Sequence, residues 1–394
     1  MRGKLITVVF LALAVLMLSM VSVFAKEPNP GLLITKNNVD EYKEYLPSFT
    51  VDVIKKYNYT ISVKAPVHHP LSDKYKEFTD KYSKDVKLDS KGKLVNYVAG
   101  LPFPNIDPSD PNAGLKVAWN YTYHNLGDDV HAEEIWYFYD KNAKLEKTLG
   151  VNYIQIFYDN RTVIPPIPSI TPNPDRISFK QAIQVVKPFD SAGIGFVDTR
   201  FSPNEPDKYD DMVAYIPAVR RLRRMASTQV YDAFLGSDLI VEDFWGYYGS
   251  VLRSKWKFIK KTKILALVDS PDWGPNKGWF PDPEKCKFEL VDAYLVESYP
   301  NDPNHPYSKR VHYIDTTNFY TLWMTSYDKK GRPWRQWMSY LRYDPTSGAY
   351  GLPGVTVIDA LKEHATVIPI KMVFNKGLKV SDLDPNNYLR KGVQ

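Results

Sequence analysis

From Leu101 almost to the C-terminus, short aromatic and β-branched runs follow one another, each closed by a polar or glycine-bearing turn. That succession restricts the chain more than any other feature. Glu134–Tyr139 and Asn152–Tyr158, separated by the polar stretch Asp140–Lys147, read as a hairpin. Asp211–Met225, Arg253–Val268, Phe288–Ser298, His312–Asp315, Tyr320–Tyr327 and Trp334–Tyr343 continue the series. The turn Asp328-Lys329-Lys330-Gly331 puts glycine where a bulged hairpin needs a positive φ. Strands in sequence with short turns predict a mainly β, antiparallel fold. The 28 tyrosines, 18 phenylalanines, 9 tryptophans and 30 prolines exclude a coiled coil or a disordered chain.

Two segments interrupt the series with helical character, Arg176–Val186 after a run of prolines and Ser237–Trp245 behind a capping serine. Asn38–Tyr57 is expected to form one or two short helices broken at Pro47. Leu101-Pro102-Phe103-Pro104 and Asp107–Pro111 form a proline-rich link. The expected division is therefore a helical and irregular N-terminal extension, 26–110, packed on a β domain, 111–394. The 394-residue length alone leaves one large domain or two smaller ones open.

Arg2 and Lys4, the uncharged run Leu5–Val23 and the short residues Val23-Phe24-Ala25 before Lys26 read as a secretory signal peptide, 1–25, cleaved after Ala25. An uncleaved anchor helix is the alternative. Cys286 is the single cysteine, so no lipid-modified cysteine follows the cleavage site and no internal disulfide forms. Export without disulfides points to the periplasm of a Gram-negative cell. The net charge of +6 falls to +4 without Arg2 and Lys4, too mild for a nucleic-acid partner. The cluster Arg220, Arg221, Arg223 and Arg224 reads as a solvated strand that resists edge-to-edge pairing.

Catalytic signatures are weak. No Gly-x-Ser-x-Gly elbow occurs, and Cys286, between Lys285 and Lys287, lacks a local family signature, which favours an inert thiol. Gly193-Ile194-Gly195 lacks the third glycine of a dinucleotide site and reads as a tight turn. His68-His69 and the pair His124 and His131 lack metal-ligand spacing. Glu133 with Glu134, or Glu242 with Asp243, offers acid and base for a glycosidase, yet adjacent residues rarely converge on one substrate. No cofactor and no enzymatic activity are expected.

The aromatic strands say more. Trp136 with Phe138, Ile154 with Ile156, and Leu322 with Met324 are spaced by two and so share a face within each strand; Met338 joins them from the next strand. Either they line a cavity for an apolar ligand in a curved sheet, or they form an ordinary sandwich core.

Tyr215-Ile216-Pro217-Ala218-Val219-Arg220-Arg221-Leu222-Arg223-Arg224, followed by Gly236-Ser237-Asp238-Leu239-Ile240-Val241-Glu242-Asp243-Phe244, resembles the paired signature of outer-membrane lipoprotein-sorting proteins. More closely, the chain resembles the related domain-of-unknown-function family 1329. Asn38–Leu46 matches its N-V-D-x-Y-x-x-x-L segment, Leu101–Pro104 its [IL]-P-F-P, Gly114–Asn120 its G-x-x-x-x-W-N and Tyr327–Arg335 its Y-D-x-x-G-x-x-W-R hairpin. The resemblance implies a LolA/LolB-like open half-barrel plugged by helices, holding acyl chains or other apolar molecules. It also implies neighbours of the resistance-nodulation-division transporter type and an outer-membrane partner. Arg220–Arg224 is expected to pair with Asp238 and Asp243 and fix the plug, with Glu242 in the same signature. The chain departs from the family where Asp-Asp becomes Glu242-Asp243 and Phe244-Trp245-Gly246-Tyr247-Tyr248-Gly249 follows.

These features together point to a periplasmic, non-enzymatic carrier or binding protein for a hydrophobic or lipid-like molecule, moving it between the inner and outer membranes. A secreted carbohydrate-binding or carbohydrate-active protein and a structural subunit of an envelope assembly are the alternatives.

Overall fold

The computed structural model describes residues 26–217, 220–226, 230–386 and 388. The leader 1–25, and Ala218 and Val219 within the arginine signature, lie outside the described residues. Thirteen strands form one sheet: β1 (Asp129–Tyr139), β2 (Leu145–Phe157), β3 (Ile177–Lys187), β4 (Gly195–Phe201), β5 (Asp211–Ile216), β6 (Arg221–Arg224), β7 (Ser254–Leu267), β8 (Phe288–Pro300), β9 (Lys309–Asp315), β10 (Thr321–Tyr327), β11 (Pro333–Asp344), β12 (Ala349–Asp359) and β13 (His364–Phe374). Their spatial order is β6-β5-β4-β3-β2-β1-β13-β12-β11-β7-β8-β9-β10, and β10 pairs with β11 as well. Only the β7–β11 contact, Leu267 with Tyr340, is parallel. The sheet thus curls shut around β7–β11 and stays open at β6, a half-barrel with one closed end.

The expected hairpins are present. β1 and β2 pair from Asp129–Ile156 to Tyr139–Leu145, so Leu145–Lys147 belongs to the strand rather than to the turn. β10 and β11 are joined through Asp328–Arg332, where Gly331 has φ 76° and the Asp328 carboxylate accepts from the backbone of Lys330 and Arg332. The expected strand Asp211–Met225 is two strands, β5 and β6, folded back on each other. Arg176–Val186, expected to be helical, is strand β3. Its Ala182, Ile183 and Val185 are all buried because both faces of the sheet are covered here, which erases the alternation that marks a half-exposed strand.

Among the described residues, α1 (Ser48–Tyr57), α2 (Asp73–Tyr82) and α3 (Ala113–Thr122) accompany the sheet. As expected, α1 starts directly after Pro47, behind two 3₁₀ turns, Val39–Glu41 and Lys43–Tyr45. It lies on the convex face, where Thr50 donates to Gln336 of β11 at 3.0 Å. α3 meets β7 so closely that a Cβ on Gly114 would stand 2.6 Å from the Phe258 nitrogen. Glycine is therefore required there, and it opens the Gly114–Asn120 motif. Asn120 closes that motif by holding both backbone groups of Phe103, which ties Leu101–Pro104 to the helix.

Among the described residues no helix is long and apolar enough to cross a membrane.

Candidate binding site

The concave face is continuous by register. One row runs Asp198, Gln181, Gln155 and Val130 across β4, β3, β2 and β1. Farther round, His312, Met324 and Trp337 align across β9, β10 and β11, with Arg310, Ser326 and Arg335 beside them. Into this concavity enters the segment 234–253, mostly single 3₁₀ turns rather than the expected helix. Its central turn, Val241–Gly246, breaks at Phe244 (ψ 143°) and Trp245 (φ 58°). Gly246 follows at φ 88°, and a Cβ on it would stand 2.5 Å from Thr321 Cγ2.

The segment is held by charge. Asp243, 1% exposed, accepts from Tyr307 Oη at 2.6 Å and from the Ile240 nitrogen at 3.2 Å. Arg310 Nη2 reaches both Asp243 and Glu242 at 3.3 Å, and Arg335 Nη1 stands 3.9 Å from Asp243 and donates to Tyr307 at 2.8 Å. Burial opposes the charge of Glu242, but the hydrogen bond with His305 and the Arg310 charge outweigh it and hold the carboxyl at about 2. The expected pairing of Asp243 with Arg220, Arg221, Arg223 or Arg224 is therefore corrected. Those four are exposed around the open edge strand, and Arg224 pairs with Asp211 on β5 at 2.7 Å. Asp238 likewise takes His364 Nδ1 at 2.6 Å and Thr366 at 2.7 Å. Single arginines on inward-facing strand positions do what the dense cluster was expected to do.

Two chambers remain between the segment and the sheet. The outer one, about 320 Å³, has an apolar wall that includes Phe196, Met212, Phe234, Leu235 and Val241, with Arg200, Asp210 and Arg253 also at its boundary. The inner one, about 50 Å³, is bounded by Trp136, Tyr153, Phe244, Trp245, Trp337 and Ile368, among others, with Glu134 as its carboxylate. Desolvation raises the Glu134 carboxyl to about 7 against the opposing hydrogen bond from Trp136 Nε1. Between the chambers runs a buried polar chain. Tyr153 donates to Gln181 at 2.9 Å, and Gln181 and Tyr248 donate to Asp198 at 3.3 and 2.7 Å. Burial, then the nearby Asp210 charge, raises Asp198 to about 7.

Of the residues expected to share one cavity, Trp136 lines the inner chamber. Phe138 lies on the same concave face, and Met324 faces inward beside His312 and Trp337, but both are closely packed and line neither chamber. Leu322 is the extra residue of a bulge, since Tyr313 and Ile314 pair with Trp323 and Thr321. Ile154 and Ile156 point to the convex face and pack with Leu383 of the C-terminal segment. Met338 also faces outward, two residues from Gln336 under α1. Shared parity holds for Trp136 with Phe138 and for Ile154 with Ile156, and the bulge breaks it between Leu322 and Met324; the face itself is set by partners that the sequence does not display.

The remaining candidates have structural surroundings. Glu133 and Glu134 face opposite sides of β1. Cys286 is buried, and desolvation lifts its thiol to about 12, which makes it a poor nucleophile. Gly193 turns at φ 85° between β3 and β4, as expected of a tight turn. Among the described residues, no group of three or more His, Cys, Asp or Glu side chains is arranged to hold a metal ion.

The curved antiparallel sheet around a plugging segment recurs in solved structures. It is shared with a solved Vibrio parahaemolyticus domain assigned to outer membrane lipoprotein sorting (TM-score 0.52, 18% identity, covering 70% of this chain and 98% of that one). The crystal structure of a DUF1329 family protein from Desulfovibrio piger is similar to the same degree (TM-score 0.53, 18% identity, 71% and 99% covered). The chain belongs to the family described as protein of unknown function (DUF1329), whose model matches residues 33–387. An uncharacterized protein of Pseudomonas aeruginosa is 24% identical, over 93% of this chain and 82% of that one.

Proposed function

We propose that the protein is a non-enzymatic periplasmic carrier that holds a hydrophobic or lipid-like molecule and moves it between the inner and outer membranes. The outer chamber carries this reading. At about 320 Å³ it lies at the lower end of ligand pockets, which span roughly 300–1,000 Å³, and apolar side chains make most of its wall. Each methylene buried there contributes about 0.8 kcal/mol, so a short stretch of acyl chain supplies micromolar binding before ordering costs. Of the charged groups at its boundary, Arg200, Asp210, Glu242 and Arg253 are already paired or bonded, and Asp232 is exposed. Arg200 grips Asp210 at 2.8 and 2.7 Å, and Arg253 donates to the carbonyls of Pro206 and Lys208. Both arginines are thus engaged, which favours apolar surface over an anionic head group.

The signal-peptide pattern of residues 1–25 and the fold's kinship with lipoprotein-sorting domains support export to the periplasm, with cleavage after Ala25 as part of the proposal. A transporter of the resistance-nodulation-division type and an outer-membrane protein are the proposed partners. Displacement of N-phenyl-1-naphthylamine from the mature protein by fatty acids tests the reading. Saturable displacement is expected, and no uptake of the probe would contradict it.

A further inference from the structure

Beside the polar chain of Tyr153, Gln181, Asp198 and Tyr248, the facing rings of Phe234 and Phe244 stand between the two chambers. Phe244, on the inner wall, has its ring centroid 5.1 Å from Phe234 on the outer wall and 6.4 Å from Trp136 on the inner wall. Successive residues of the segment serve the chambers in turn: Val241 and Glu242 border the outer, Phe244 and Trp245 the inner, and Tyr248 the outer again. Phe244 is only partly buried because it borders void. Its place is fixed by its neighbours on both sides, Asp243 through Arg310 and Tyr307, and the left-handed pair Trp245 and Gly246.

We infer that Phe244 is the specificity-determining residue of the carrier site. Its ring closes the apolar side of the boundary between the two chambers, and so sets how long a chain the protein accepts. This rests on the carrier reading above. With the ring in place the ligand is confined to the outer chamber. With it removed, a chain continues past Phe234 toward Trp136, Trp337 and Ile368. Each added pair of buried methylenes should tighten binding about tenfold.

The test is competition by saturated fatty acids, from octanoate to stearate, against N-phenyl-1-naphthylamine on the full mature chain. Wild type is compared with Phe244→Ala and the milder Phe244→Leu, each checked by circular dichroism. In wild type, affinity should stop rising with length at the medium-chain members. In Phe244→Ala it should go on rising, so that palmitate gains at least tenfold over decanoate relative to wild type, and Phe244→Leu should fall between. A folded Phe244→Ala or Phe244→Leu with the wild-type length profile overturns this assignment alone. No binding by wild type at any length overturns the carrier reading, and this assignment with it.

Discussion

Asp243 and Arg310 meet at 3.3 Å where neither side chain reaches solvent, and through this contact the plugging segment is fastened to the wall of the half-barrel. Arg310 also lies over the rings of Tyr307 and Tyr247, at 4.7 and 5.3 Å from their centroids. Its Nε and Nη1 have no hydrogen-bond partner among the described residues. Asp243→Ala would therefore leave a buried guanidinium with fewer partners still. The expected cost is about 3–5 kcal/mol, read as a fall in the denaturation midpoint. Asp243→Glu should cost less, because a carboxylate is kept. An unchanged midpoint with lost ligand binding would assign Asp243 to the ligand instead.

Gly246 sits at φ 88° with Thr321 where its side chain would be. Gly246→Ala adds left-handed strain and a clash, together about 2–4 kcal/mol. Thr321→Ala in the same background should recover part of that loss in a chemical-denaturation series, and absence of any recovery would argue against the contact.

How far the sequence foretold this arrangement differs between elements. The hairpin at Gly331 and the helix behind Pro47 were legible, because each depends on its own few residues. β3 was not, since a strand covered on both faces loses its period. The latch was half legible. The acidic Glu242-Asp243 pair stood out in its signature, whereas Arg310 and Arg335 are lone arginines in strands, indistinguishable by sequence from solvated ones. Arg335 does close the Tyr327–Arg335 motif, which was the available clue. The chamber wall was missed because Phe196 and Met212 meet through the pairing of β4 with β5 and Phe234 comes from the plugging segment, neighbours that no local pattern displays.

Charge introduced at two buried positions separates wall from core. Leu235 borders the outer chamber and is partly buried, so Leu235→Arg should keep the circular dichroism spectrum and abolish probe binding. Met324, 1% exposed between His312 and Trp337, has no such room, and Met324→Arg should unfold the chain. The reverse pattern would move the binding site to the closed end of the barrel.

Asp198 gives a pH signature. Its carboxyl, 2% exposed, is raised from 3.8 to about 7, so between those values the native state keeps a proton that the unfolded chain has released. Its contribution to stability is therefore greatest below about pH 4 and is lost as pH rises through 7. Asp198→Asn accepts the same hydrogen bonds without titrating. The stability of the variant relative to wild type should grow by a few kcal/mol from pH 4 to pH 7 and then level off. A difference that stays flat across that range would mean that Asp198 is charged throughout.

The central claim is that the half-barrel carries an apolar molecule, and native mass spectrometry of the protein drawn from its own periplasm tests it most directly. The expected result is a chain beginning at Lys26 and carrying added mass that organic extraction recovers as a hydrophobic or lipid-like compound, with Leu235→Arg isolated bare. A wild-type protein that is folded, exported and consistently bare would contradict it.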